Sequence, residues 1–168
     1  VLQHYSDVLA NAVTVNITTQ AAGISLDDRA FLVPLPAGDI VAFHNGRLLS
    51  ANDGELYYSK PYNFGLCDPI ENRLTLTGTI TVVAPCEGGV FICTTEKSYF
   101  YAGNDIAEAV VSEVLPLGAV IGTAFHHPDT RAVGWFSKDG FVIGKPDGSV
   151  TLPQRENGFS APSAQTGA

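Results

Sequence analysis

Short alternating runs dominate the chain. In Val13-Thr-Val-Asn-Ile17 the apolar residues fall at every second position, so Val13, Val15 and Ile17 share one face of an extended strand. Leu74-Thr-Leu-Thr-Gly-Thr-Ile-Thr-Val-Val83 is rich in β-branched residues and is interrupted once, at Gly78, where a bulge or short turn is expected. Helical periodicity is scarce. Its best instance is Asp105-Ile-Ala-Glu-Ala-Val-Val-Ser-Glu-Val-Leu115, with Asn104 or Asp105 as a cap. The β-branched pair Val110-Val111 and the stop before Pro116 fit an extended strand there equally well.

Turn signals organise these runs into a repeat. Gly46-Arg-Leu-Leu-Ser-Ala-Asn-Asp-Gly-Glu-Leu-Tyr-Tyr58 reads as strand, tight turn, strand, with Asp53-Gly54 supplying the positive φ angles of the turn. The same arrangement recurs 43 residues later at Glu96-Lys97, between Phe91-Ile-Cys93 and Tyr99-Phe-Tyr101. It recurs again 43 residues beyond at Asp139-Gly140, between Val133-Gly-Trp-Phe136 and Phe141-Val-Ile143. A further short strand is expected before each hairpin: Ile40-Val-Ala-Phe43, Thr79-Ile-Thr-Val-Val83 and Val120-Ile-Gly-Thr-Ala-Phe125.

Hairpins at a period in the low forties predict an all-β fold of antiparallel four-stranded β-propeller blades. A β-sandwich is the alternative, because strands at this spacing suit both, and the equal turn spacing favours the propeller. In 168 residues this period leaves room for about four blades, the first irregular and the last incomplete. That is the lower limit of the roughly four to eight that close a ring, so a partial propeller, or one completed by another chain, is expected. The predicted organisation is an N-terminal strand or arm over 1–30 that pairs with a neighbouring blade, blades over 31–155, and a flexible tail or continuation over 156–168. The start at Val1 and the loop-like end Phe159-Ser-Ala-Pro-Ser-Ala-Gln-Thr-Gly-Ala168 suggest a piece of a longer protein.

Composition narrows the function. Hydrophobic residues make up 45% and charged residues 15%, which suits one domain with a real core. No apolar run reaches the roughly 18 residues of a membrane-spanning helix, so no membrane span is expected. Nine Lys and Arg against 17 Asp and Glu give a net charge of −8. Such a surface does not gather phosphates, and passing DNA would not be held tightly. The three cysteines, Cys67, Cys86 and Cys93, form no CxxC pair, and an odd number argues against a closed disulfide framework. Cys93, within Val90-Phe91-Ile92-Cys93, reads as a small buried hydrophobe.

Candidate chemistry is sparse. His126-His127-Pro128-Asp129 is the one His cluster, but neighbouring residues on a strand face opposite ways, and Pro-Asp marks a turn. Asp68 and Glu71 flank Pro69 and could approach as glycosidase carboxylates do, although Asp-Pro is more commonly a turn starter. Ser137-Lys-Asp-Gly-Phe141 departs from the S-x-D-x-G-x-x-W box of sialidase propellers, because Gly140 follows Asp139 directly and Trp135 lies upstream. There is no G-x-S-x-G elbow or P-loop, and Gly144-Lys-Pro-Asp-Gly148 reads as a hairpin turn. Tyr57, Tyr58, Tyr62, Phe64, Tyr99, Phe100 and Tyr101 either pack between blades or form a platform for sugar or protein, with at most one of Tyr57 and Tyr58 inside. No catalytic, cofactor-binding or metal-ligating residue is expected, no cofactor is needed, and the chain reads as non-enzymatic.

Several of these segments resemble a known family. Phe43-His-Asn-Gly-Arg-Leu-Leu-Ser-Ala-Asn-Asp-Gly-Glu-Leu-Tyr-Tyr-Ser-Lys-Pro-Tyr-Asn63 with Leu66-Cys-Asp-Pro-Ile-Glu-Asn72 resembles the "NGRL", "LYYS-x-P" and "FDP" pattern of propeller-type structural proteins of tailed phages. Ile80-Thr-Val-Val-Ala-Pro85, Gly88-Gly-Val-Phe-Ile92, Ser98-Tyr-Phe-Tyr-Ala-Gly103 and Gly118-Ala-Val-Ile-Gly-Thr-Ala124 before Gly134-Trp-Phe-Ser-Lys-Asp-Gly140 follow the same arrangement. Over about residues 40–152 the chain is similar to the nozzle proteins of short-tailed phages, also called tail tubular protein B or packaged-DNA stabilisation proteins. The resemblance implies a virion tail component, synthesised in the bacterial cytoplasm and working by assembly. It implies a homo-oligomeric ring, usually a hexamer, that extends and helps close the DNA-exit channel. Its partners would be the portal–adaptor column and the tail fibres or tip. A carbohydrate-binding or glycan-cleaving propeller of receptor-binding or depolymerase type is the alternative, carried by the Tyr candidates and the Asp68/Glu71 pair. A generic propeller scaffold for interactions in a cell is a third and weaker reading.

Overall fold

A computed structural model describes residues 31–158. The run Val13–Ile17, the arm over 1–30 and residues 159–168 of the tail lie outside the described residues. The chain is all-β, and its strands form three antiparallel four-stranded sheets. The first sheet holds β2 (Ile40–His44), β3 (Arg47–Asn52), β4 (Glu55–Tyr58) and β6 (Arg73–Thr75). A small pair, β1 (Val33–Pro34) with β5 (Leu66–Cys67), accompanies it. The second sheet runs through β7 (Ile80–Cys86), β8 (Gly89–Thr94), β9 (Ser98–Ala102) and β10 (Val110–Leu115). The third comprises β11 (Phe125–His126), β12 (Val133–Ser137), β13 (Gly140–Gly144) and β14 (Val150–Thr151), and α1 (Pro153–Glu156) follows it. In each sheet, successive strands are hydrogen-bonded neighbours.

The three repeated hairpins form at the expected places, as β3–β4, β8–β9 and β12–β13. Two of their turns are closed by side chains as well as by backbone. The Thr94 hydroxyl accepts from the Glu96 and Lys97 amides, and the Ser137 hydroxyl accepts from the Asp139 amide. A short hydroxyl at the last strand position thereby satisfies amides that the ladder leaves free. At the first turn only Asp53 has a positive φ, of 52°. Gly54, expected to share that conformation, is small for another reason: a Cβ there would lie 3.0 Å from the Leu76 carbonyl oxygen.

Gly78, with φ 80°, separates β6 from β7, so the run over 74–83 divides between two sheets. The segment over 105–115 resolves as a turn and then a strand. The Asp105 carboxylate accepts from the Ala107 amide, and Val110 and Val111 pair with Ala102 and Tyr101 in β10. The strand expected at Val120–Phe125 shrinks to β11, Phe125–His126. Gly122 takes φ 73° and the Thr123 hydroxyl donates to the Val120 carbonyl, which turns the chain where a strand would have run.

The sheets stack through two apolar layers. One layer joins Leu49, Leu56 and Tyr58 of the first sheet to Val83, Val90 and Ile92 of the second. The other joins Val82, Phe91 and Phe100 of the second sheet to Val133, Trp135 and Val142 of the third. The second sheet is thus buried on both faces, and its period-2 alternation sends successive residues to opposite layers. The first strands of the first and second sheets, β2 and β7, pack together, and β7 also meets β12. The last strand β10 is exposed over most of its length. The Lys97 ammonium reaches Glu113 on it at 2.7 Å, and charge on an edge strand discourages unwanted pairing.

Candidate functional site

The turns that follow the first strand of each sheet gather at one end of the stack. There, with Asn104 from the loop after β9, they line a cleft of about 640 Å³ that presents Asn45, Glu87, His126, His127 and Arg131. Backbone contacts tie down both histidines. The His126 ring lies 2.8 Å, through Nε2, from the Pro85 carbonyl oxygen. His127 Nδ1 accepts from the Asp129 and Thr130 amides and so caps the turn that Pro128-Asp129 announces. The pair is exposed and its two rings are used separately, as the alternation of a strand requires. Arg131 bridges to Glu87 at 3.1 Å, with both side chains about two thirds exposed. Among the described residues, no group of three or more His, Cys, Asp and Glu gathers as a metal ion would need.

Behind this cleft lies a polar latch between the first and second sheets. Arg47, buried at the start of β3, donates to the Ser59 carbonyl at 2.8 Å and to the Asp105 carboxylate at 2.7 Å. Its guanidinium also stands 5.4 Å from the centre of the Tyr58 ring. The Arg47 hydrogen bond is the main reason that the Asp105 carboxyl sits below its ordinary range, against the opposing effect of burial. The Asn45 amide donates to the Asn104 carbonyl at 3.1 Å, and the His44 ring lies 3.3 Å from the Gly103 carbonyl oxygen. Sequence reasoning missed this latch, because a single Arg and a single Asp 58 residues apart carry no local signature.

The other singled-out residues divide. Asp68 starts a turn, its carboxylate accepting from the Ile70 and Glu71 amides, and those bonds hold its pKa below the ordinary value. Glu71 points to solvent and reaches Lys60 at 3.9 Å. Tyr58, Phe100 and Tyr101 are buried, Tyr57 and Tyr99 are half-buried, and Tyr62 and Phe64 are exposed. The Tyr58 hydroxyl donates to the Glu71 carbonyl at 2.8 Å, while its neighbour Tyr57 faces the other side and donates to Glu55. The ring group is therefore part core and part surface. Cys67, Cys86 and Cys93 are all free thiols, and burial pushes Cys93 up to about 12, which leaves it protonated and inert.

Apolar surface forms the second feature of note. On the outer side of the first sheet, Val41 and Phe43 are exposed, and Phe64 meets Phe43 edge-on at 5.6 Å. On the outer side of the third sheet, Phe125 stacks on Phe141 at 5.3 Å with planes 8° apart, and Phe136 leans on the same ring. Among the described residues no helix is long and apolar enough to cross a membrane. Comparison with the models of protein families finds no match to this chain, and comparison with curated proteins finds none either.

Proposed function

We propose that this chain is a structural component of a phage tail. In this reading it is a β-propeller element of the nozzle that extends and helps close the DNA-exit channel and carries other tail parts. The single observation that supports it best is the stack of three four-stranded sheets whose middle member is buried on both faces. A two-layer sandwich buries one face of each sheet, whereas a propeller blade is covered on both sides by its neighbours. The packing of β2 on β7 also suits blades that meet through their first strands.

The nozzle assignment itself rests on the resemblance of Gly46–Asn72 and the later hairpins. The acidic balance of −8 suits a wall past which DNA slides without sticking. Stiff antiparallel sheets suit a part that works by assembly. The partners in this reading are the portal–adaptor column, the tail fibres or tip, and further copies in a ring, six by the resemblance.

Mass spectrometry of purified particles tests the assignment. The chain is expected among the tail components at a fixed copy number. Its absence from particles, with free chain in the host cytoplasm, would overturn the reading.

A further inference from the structure

We propose that His44 is a proton-controlled switch in the latch between the first and second sheets. Its ring bonds to the Asn45 amide when neutral and to the Gly103 carbonyl when protonated, so that pH sets how Asn45 is held in the cleft wall. The inference rests on the geometry of the latch and stands apart from the tail assignment.

His44 is buried, with 5% of its surface exposed. Its Nε2 has two neighbours at one distance: the Asn45 side-chain nitrogen and the Gly103 carbonyl oxygen, each 3.3 Å away. These neighbours make opposite demands. A carbonyl oxygen only accepts, so the Gly103 contact needs a proton on Nε2. The Asn45 nitrogen only donates, so its contact needs the bare Nε2 lone pair. Turning the Asn45 amide over does not remove the conflict. The same nitrogen donates to the Asn104 carbonyl at 3.1 Å, and an amide oxygen in its place would face another oxygen. One ring nitrogen therefore serves one of the two partners at a time, and the proton chooses which.

In the neutral ring the Nδ1–H form accepts from Asn45, and Gly103, which is exposed, gives its carbonyl to water. The imidazolium donates from Nε2 to Gly103 and opposes the Asn45 N–H. The bond thus moves from the ring's own hairpin to the neighbouring sheet.

Charge around the ring bears on that exchange. His44 pairs directly with Arg47 across the β2–β3 hairpin, on the same face, and Asp105 is the counter-ion of that guanidinium at 2.7 Å. Protonation brings a second cation to one carboxylate. It gains the attraction of Asp105 and a charge-assisted bond to Gly103, and it meets the repulsion of Arg47. The Asp105 carboxyl is held low chiefly by the Arg47 hydrogen bond and in smallest part by charge on the His44 ring. On β7, which packs against β2, burial pushes the Cys86 thiol up and keeps it neutral. Glu108 in the Asp105 loop is exposed, and Glu87 beside Cys86 is engaged by Arg131.

Asn45 and Asn104 both line the cleft, so the exchange reaches its wall. With the ring protonated, Asn45 keeps the Asn104 carbonyl and loses its second acceptor, which leaves one N–H to turn toward the cleft. The exposed His126 and His127 across the cleft bond to backbone groups of their own and lie outside the exchange.

Nitrogen-15 NMR of the labelled 168-residue chain, between about pH 8 and about pH 5, reads the exchange atom by atom. At the upper end the ring correlations of His44 are expected to show Nε2 without a proton. On acidification Nε2 gains one, and the Asn45 side-chain amide and the backbone amides of residues 103–105 shift with the same midpoint. His44→Gln is expected to abolish that common movement, while the His126 and His127 rings keep theirs.

A ring that carries Nε2–H at both ends of the range overturns the proposal, because it would bond to Gly103 throughout. So does an Asn45 amide that shifts unchanged in His44→Gln, since another titration would then move it. Should His44→Gln lose the buried Trp135 emission of the folded chain, Asn45→Ala decides the point. With the amide gone, the Gly103 carbonyl is the one partner left to Nε2, and the neutral ring is expected to move to its Nε2–H form. A neutral ring that stays protonated on Nδ1 there overturns the proposal. Particle composition, which tests the tail assignment, is untouched by any of these results.

Discussion

The two joints that hold the three sheets together are built on different physics. The joint between the first and second sheets has an aliphatic layer and, at its cleft end, a set of directed polar contacts from His44, Asn45 and Arg47 to residues 103–105. The joint between the second and third sheets has only exposed polar contacts at its cleft end, His126 to the Pro85 carbonyl and Arg131 to Glu87, and its interior is held by shape. Phe91 lies 4.6 Å from Phe100 and 5.4 Å from Trp135. Glycines let the backbone come close: a Cβ at Gly144 would meet the Phe91 ring at 2.8 Å, and one at Gly148, where φ is 85°, would meet Phe100 at 2.4 Å. The Trp135 indole N–H has no acceptor among the described residues, so the ring is placed by packing alone. A polar joint specifies orientation through a few bonds, while a ring-and-glycine joint does so by excluding every other fit.

The largest expected effect therefore comes from the second joint. Trp135 is fully buried, and Trp135→Ala opens a cavity that rigid neighbouring strands fill poorly. A loss of about 3–5 kcal/mol is expected from such a truncation, measured by urea unfolding at fixed protein concentration. A loss below about 1 kcal/mol would mean that the joint collapses easily, and the contrast between the two joints would fall.

The first joint should yield less. Arg47→Met keeps the packing of the stem over Tyr58 and removes the charge, leaving the Asp105 carboxylate to solvent. Asp105 is 39% exposed, so its loss of partner is partly made good by water. About 1–2 kcal/mol is expected, with the Ser59 carbonyl, which also loses its donor, accounting for part of it. An effect equal to that of Trp135→Ala would show the polar latch to be as important as the ring layer.

The contrast also shows what was readable in the chain. The hairpin turns were legible because their chemistry is local: Asp-Gly and short polar runs stop a strand wherever they stand, and the three hairpins fall where their spacing put them. The continuous apolar run Val90–Cys93 marked Cys93 as buried, and the structure buries the whole run, because a strand with apolar residues at consecutive positions is covered on both faces. The Val120–Phe125 strand failed because Gly122 and the Thr123 hydroxyl outweigh a β-branched composition. The first joint was invisible, since Arg47 and Asp105 meet only after two sheets have stacked. For the same reason the cleft end could not be read: Asn45, Glu87 and His127 come from three different turns. Long-range juxtaposition leaves no periodic trace in a single sequence.

The smallest expected effect isolates the latch by pH. Arg47 lowers the Asp105 pKa in the folded chain below the unfolded value, which is about 3.9 for a free Asp. A depressed carboxylate binds fewer protons folded than unfolded around that pH, so its contribution is fully present above about pH 4 and fades as pH falls toward the folded value. Asp68 and Asp147 are lowered as well, by amide and Ser149 hydrogen bonds, so acid weakening alone does not identify Asp105. Comparison of unfolding free energies between pH 6 and pH 3 in the parent and in Arg47→Met separates them. The variant retains the contributions of Asp68 and Asp147 but loses that of the latch, so its acid sensitivity is expected to be smaller by less than about 1 kcal/mol, given the exposure of Asp105. Equal slopes in the two chains would mean that the Arg47–Asp105 bond contributes no net stability, leaving the first joint to its aliphatic layer and its neutral contacts.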